Sequence, residues 1–137
     1  MKVSIRLLAL AGLLLLIGSA SRAAGQELTT PAHLSNMIAL RNITGDANGN
    51  ISGTLVNRTG LTLRDVKLQI DYAWLWHDDF KPGEDNPGRT VYFTAPGEIQ
   101  PHGESAFSYQ PSPPLASPGG GRFVPSVAII GFTQIGN

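Results

Sequence analysis

The densest set of titratable side chains in this 137-residue chain sits in "WHDDFKPGEDNPG", which carries His77, Asp78, Asp79, Glu84 and Asp85. An imidazole beside carboxylates offers the donor types that hold a divalent cation. A paired His–Asp can also move a proton in general acid–base catalysis. The surrounding sequence supports neither reading well. A zinc centre needs three or four imidazole or thiolate ligands, but the chain has no cysteine, and His33 and His102 stand far from His77 without ligand spacing. Calcium needs six or more oxygens, and Pro82-Gly83 and Pro87-Gly88 read as ordinary turn punctuation. The segment is therefore expected to be a solvated loop. A weak cation site at these five residues, or a hydrolytic centre at His77, Asp78 and Asp79, is the rival expectation.

Other motifs that could carry chemistry fail on their own spacing. "GDANGN" has the Asp46/Asn48/Asn50 alternation that opens a calcium loop, but Ile51 stands where the loop needs glycine and Asn57 where it needs glutamate. It reads as a hairpin turn. No Gly-x-Ser-x-Gly elbow is present, and Gly119–Gly121 lacks the Gly-Lys-Ser/Thr ending of a phosphate loop. No cofactor is implied. Asn42-Ile43-Thr44 and Asn57-Arg58-Thr59 match the glycosylation pattern, which matters only in a eukaryotic secretory route.

The elements that position these residues read as strands. In Val66–Trp76 the side chains Val66, Leu68, Ile70, Tyr72, Trp74 and Trp76 fall on every second position, with Lys67, Gln69 and Asp71 between them. Successive strand side chains point to opposite faces, so one face is apolar and the other polar. A helix would scatter the same residues around its cylinder. Burying groups of this size stabilises by about 1.5–3 kcal/mol each. The run exceeds an ordinary strand of about 5–6 residues. Either it bends at a bulge or its tryptophan end passes beyond the core and caps it. Core placement is the expectation for Trp74 and Trp76, and a recognition surface for a carbohydrate or protein is the alternative.

Further strands are expected over Met37–Thr44, Asn50–Asn57, Thr90–Ala95, Glu104–Gln110 and Arg122–Ile135, the last at an edge or bulge because of Pro125. Thr30-Pro31 can start one short helical turn. "PSPPLASPGGG" (111–121) reads as the linker that carries the chain from one sheet to the other, half polyproline-like and half flexible. The pattern as a whole predicts an all-β, antiparallel, immunoglobulin-like sandwich of about six or seven strands, with a small barrel as alternative.

Ahead of this pattern, Lys2 and Arg6 precede an apolar run from Leu7 to Ile17 and then small residues. That order describes a signal peptide over 1–24, cut after Ala20, Ala23 or Ala24. The run is shorter than the roughly 18–20 residues that span a bilayer, so no transmembrane segment is expected after cleavage. Residues 25–36 then form an N-terminal segment, and 37–137 one domain with one core. Export without cysteine fits a bacterial periplasmic or secreted protein better than a disulfide-bearing animal one. Formal net charge is zero and 15% of residues are charged, with arginines scattered. A nucleic-acid partner needs a clustered basic surface, and none is indicated.

"ISGTLVNRTGLTLRDVKLQIDY" and the later "GEIQPHGESAFSY" resemble the FxLYD-type and related immunoglobulin-like domains of bacterial exported proteins, over about residues 51–110. The match rests on Gly53, the closing Asn57, the Thr59-Gly60 turn, Leu63, Val66, and the Pro101-x-Gly103 turn before Phe107. The chain departs from the pattern in having "LQIDYAWLWHDDF" and a longer acidic loop. The resemblance implies an accessory module with no shared catalytic residues. The expectation is a non-enzymatic binding or assembly domain with a protein or polysaccharide partner in the cell envelope. A strand-donating fibre subunit is a further alternative, because the last apolar segment can pair with a neighbour's edge.

Overall fold

The computed structural model describes residues 31–77, 86–116 and 118–136. The signal peptide expected over 1–24 lies outside them, as do residues 25–30 and the loop residues Asp78, Asp79, Glu84 and Asp85.

The described residues are all-β apart from one short helix, α1 (Pro31–Met37). Seven strands follow: β1 (Ile38–Gly45), β2 (Ile51–Asn57), β3 (Thr62–Trp76), β4 (Arg89–Thr94), β5 (Glu98–Ile99), β6 (Glu104–Tyr109) and β7 (Gly121–Ile135). They form two antiparallel sheets. One runs β1-β2-β6; the other is built on β3, with β7 along one side and β4 and β5 end to end along the other. Both sheets contribute to a single apolar core, with Ile38, Ile51, Leu55 and Phe107 from the first and Leu63, Leu68, Ile70 and Tyr72 from the second. The helix is longer than the one short turn expected. Leu34 on its inner side is buried, and the helix packs on β7 and the start of β1, so tertiary contact extends what local propensity would only begin.

β3 carries the alternation read from the sequence. Val66, Leu68, Ile70, Tyr72 and Trp74 are buried and Lys67, Ala73 and Leu75 are exposed. On the outer face Gln69 Nε2 and Thr90 Oγ1 donate to the two Asp71 carboxylate oxygens at 2.9 and 2.5 Å, and these bonds hold the Asp71 carboxyl below its ordinary range. The rhythm breaks once, between Leu63 and Val66. Asp65 has φ +51°, and β3 gains one residue relative to β7 between Arg64 and Lys67. This is a bulge. β7 gains a residue in turn at Ile130, between the partners of Lys67 and Leu68, so the original register is restored for the rest of the pair. Without the second bulge every later side chain of β7 would lie one step out of line with its β3 partner.

The length of β3 resolves the same way at its other end. Pairing with β4 stops at Tyr72–Arg89, while pairing with β7 continues to Trp76–Gly121. The tryptophan end thus runs past β4 as a two-stranded ribbon with β7. Pro125 lies on β7, which pairs with β3 alone among the described strands, so the proline sits at an edge as its missing N–H requires. Residues 111–120 connect β6 in one sheet to β7 in the other.

Gly53 and Phe107 from the resemblance turn out to be register partners on β2 and β6. A Cβ at Gly53 would collide with Ile43 Cδ1 and stand 3.0 Å from Phe107 Cε1. The glycine leaves the space that Phe107 fills. Asn57, the closing asparagine, is 1% exposed and ties two turns together. Its Nδ2 donates to the carbonyls of Leu61, Ile99 and Gln100 at 2.7–3.1 Å, and its Oδ1 accepts from Thr59 N and Thr59 Oγ1. Burial also closes the sequon reading at this position, because the amide is inaccessible.

Candidate functional site

His77 closes β3. Its ring is exposed and its backbone N–H donates to Gly120 O at 2.8 Å. The other four members of the acidic loop fall outside the described residues. His33 is exposed on α1, and His102 is exposed in the turn before β6 with φ +57°. Among the described residues no three His, Asp or Glu side chains converge as metal ligands would.

The tryptophans behave differently from one another. Trp74 is 6% exposed. It packs edge-to-face against Trp76, with ring centroids at 5.5 Å, and against its cross-strand partner Phe123 at 4.7 Å. Its ring is packed and not an open platform, yet its edge lines a cleft at this end of the molecule. Trp76 is half-buried. Gly121 makes the arrangement possible: a Cβ there would lie 2.5 Å from Trp74 Cε2 and 2.5 Å from Leu75 O. The indole edge rests directly on the glycine backbone.

The β1–β2 turn is the hairpin that the sequence indicates. Asp46 organises it, with Oδ1 accepting from Asn48 N and Asn50 N at 2.9 and 3.0 Å and Oδ2 accepting from Asn50 Nδ2 at 2.7 Å. These bonds, the Asn50 side chain first, hold the Asp46 carboxyl below its ordinary range. Asp46 N donates to Asn50 O and Gly49 N to Asp46 O, while Gly49 O accepts from the buried Tyr72 hydroxyl at 2.6 Å. Tyr72 thereby joins the turn to the opposite sheet. Burial, more than any neighbouring charge, pushes its hydroxyl up to about 12.

Between this turn, the β6–β7 connection and the tryptophan end of β3 and β7 lies a cleft of about 390 Å³. Asp46, Asn48, Trp74, Leu115, Arg122 and Phe123 are among its walls. A smaller cavity of about 230 Å³ beyond it shares Asn48 and Pro114 and reaches Asn50 and Pro111. On the far side of Trp74 a shallow depression of about 550 Å³ includes Asp71 and Arg89. The connection is anchored across this end, since Arg89 Nη2 donates to Pro113 O and Leu115 packs over Gly49.

Three buried side-chain atoms have no hydrogen-bond partner among the described residues: Trp74 Nε1, Asn50 Oδ1 and Arg89 Nε. Each belongs to a residue lining one of these three cavities. Buried polar groups are ordinarily paired, so their concentration at one end of the molecule sets that end apart. The lining of the main cleft supplies donors, acceptors and apolar walls; its titratable groups are the Asp46 carboxylate, already accepting three hydrogen bonds within the turn, the Tyr72 hydroxyl, which donates to Gly49 O, and the Arg122 guanidinium. Such a wall offers hydrogen bonds and apolar contact to a ligand.

Asp46, Asn50, Arg122 and Phe123 were not flagged as a site by sequence reasoning. The Asp46/Asn48/Asn50 spacing signalled the turn, but nothing local relates it to Arg122 or Leu115. Comparison with protein-family models, curated proteins and solved structures finds no match to this chain.

Proposed function

We propose that this chain is an exported, non-enzymatic binding or assembly module of the bacterial envelope, periplasmic or secreted, built as an immunoglobulin-like β-sandwich related to the FxLYD type. Two antiparallel sheets around one core, with the chain crossing between them after β2, back after β5 and across again after β6, support the sandwich. The basic, apolar and small-residue order of residues 1–24 supports export. The observation that carries the binding role is the end cleft, where mixed polar and apolar walls meet and the Asp46 carboxylate and Tyr72 hydroxyl are already engaged in holding the β1–β2 turn. Pull-down from periplasmic extract and isothermal titration against envelope polymers test it. Capture of a polymer or protein without turnover is the expected result. Efficient hydrolysis with no retained partner overturns it.

A strand-exchanging subunit is the second reading, and one observation favours it. β7 pairs on one side only, and its inward residues Phe123, Val127, Ile129 and Phe132 stay half-buried. Pro125 lacks an N–H in the middle of that edge, which blunts it as a template. A clean monomer by size-exclusion chromatography at high concentration removes this reading, and concentration-dependent oligomers sustain it.

A further inference from the structure

The chemistry of the end cleft narrows what it can hold. Its two charged wall residues, Asp46 and Arg122, have opposite sign, so an anionic ligand meets the carboxylate and a cationic one meets the guanidinium. A neutral ligand meets neither penalty. The apolar part of the wall comes from Phe123, Leu115, Pro114 and Pro125, on β7 and the connection.

The polar part is presented by side chains. Along the β1–β2 turn Asp46 N, Asn48 N, Gly49 N and Asn50 N are donated within the turn, and the carbonyls of Asp46, Gly49 and Asn50 already accept a hydrogen bond. An extended peptide docks chiefly by main-chain ladders; the turn has few main-chain groups left to give, and on the β7 side Pro125 interrupts the row of free ones. The polar side chains here are Arg122, which forms no ion pair or hydrogen bond with the described residues, the outer side of the Asp46 carboxylate, and Asn48. The buried indole N–H of Trp74 stands behind Gly121, and the amide oxygen of Asn50 opens the adjoining cavity.

Hydroxyl groups both donate and accept, and a pyranose ring adds apolar C–H faces between them. We infer that the cleft between the β1–β2 turn, the 111–120 connection and the β3–β7 ribbon binds a neutral saccharide unit of a glycan, with Arg122 and Asp46 holding hydroxyls and Phe123, Leu115 and Pro114 lying against the ring. This rests on the binding-module reading and names its ligand class.

Isothermal titration of the mature protein with neutral oligosaccharides of glucose, mannose and N-acetylglucosamine, and with hexuronate oligomers of equal length, tests the inference. Saturable binding of at least one neutral series, with the hexuronates weaker, is expected. Arg122→Ala should weaken that binding by about tenfold at an unchanged melting temperature, because the Arg122 side chain is exposed and has no partner among the described residues. Leu115→Asp gives an independent check on the apolar wall, with a loss of similar size. No saturation by any neutral series, a preference for the hexuronates, or binding undiminished in both variants overturns the inference. If no saccharide binds while an envelope protein is captured, the ligand class falls and the binding module stands. If a neutral saccharide is bound and then cleaved, the ligand class stands and the non-enzymatic reading falls.

Discussion

Asn57 places five hydrogen bonds on one side chain at a site with almost no solvent access. Truncating it leaves the buried Ile99 carbonyl unpaired, at about 1–3 kcal/mol, and removes a donor from the part-buried carbonyls of Leu61 and Gln100, where Thr59 Oγ1 or water can substitute in part. Asn57→Ala is therefore expected to lower unfolding free energy by about 2–4 kcal/mol in urea titrations. Asn57→Asp should be no better, because a carboxylate cannot donate to Leu61, Ile99 and Gln100. Tyr72 makes a single such bond, and Tyr72→Phe should cost about 1–2 kcal/mol. Its titration gives a second signature. The folded state keeps the phenolic proton to about 12 while the unfolded chain loses it near 10.0. Below pH 10 the stabilisation is complete; between 10 and 12 the unfolded state binds fewer protons and stability falls as pH rises. The urea midpoint should drop across that window in the wild type and drop less in Tyr72→Phe. At His77 the outcome expected is a null one: EDTA should leave the melting temperature unchanged, and a fall of several degrees would revive the cation site.

At the scale of elements, β3 and β7 decide most of the structure. Their compensating bulges depend on Asp65 in the left-handed region, which Asp tolerates and a β-branched residue does not. Asp65→Gly should be neutral or slightly stabilising and Asp65→Val destabilising by about 1–3 kcal/mol. β7 yields a sharper test. The His77 N to Gly120 O bond fixes the hydrogen-bond phase of the ribbon, so Val124, Ser126 and Ala128 bond to β3 while Phe123, Val127 and Ile129 direct their backbone groups to the open edge. Amide hydrogen exchange should alternate along β7, slow at the first three and fast at Phe123, Val127 and Ile129. Uniform protection would mean that another strand covers the edge. Much of this was legible beforehand, because period-two alternation and turn residues are local signals. Both hairpin strands flanking Gly45–Asn50, the β3 row and the apolar final strand lie within a few residues of their expected bounds. β5 was not legible, since two residues carry no period. A bulge in β3 or in the last strand was an expectation, but not the two positions, at Arg64–Lys67 and at Ile130, because compensating bulges exist only in the pairing of β3 with β7.

For the molecule as a whole, the limit of sequence reading lies in distance along the chain. The cleft joins residues 46–49, 72–74, 114–115 and 121–125, and no local pattern links a hairpin turn to a proline-rich connection nearly seventy positions on. The titratable groups of residues 77–85 are adjacent in sequence and so stand out there, whereas Trp74, Asn50 and Arg89, which carry the buried polar atoms without a partner among the described residues, are far apart in the chain. The central claim is that the protein works by binding at this tryptophan end. Amide and indole chemical-shift mapping by NMR, with solubilised envelope extract as titrant, tests it most directly. The account predicts saturable shifts at Asn48, Gly49, Arg122 and the Trp74 indole N–H, with the Asn57 turn unmoved. Saturable shifts confined to His77 and residues 78–85, or to the β7 edge, with those four signals unchanged, would contradict it.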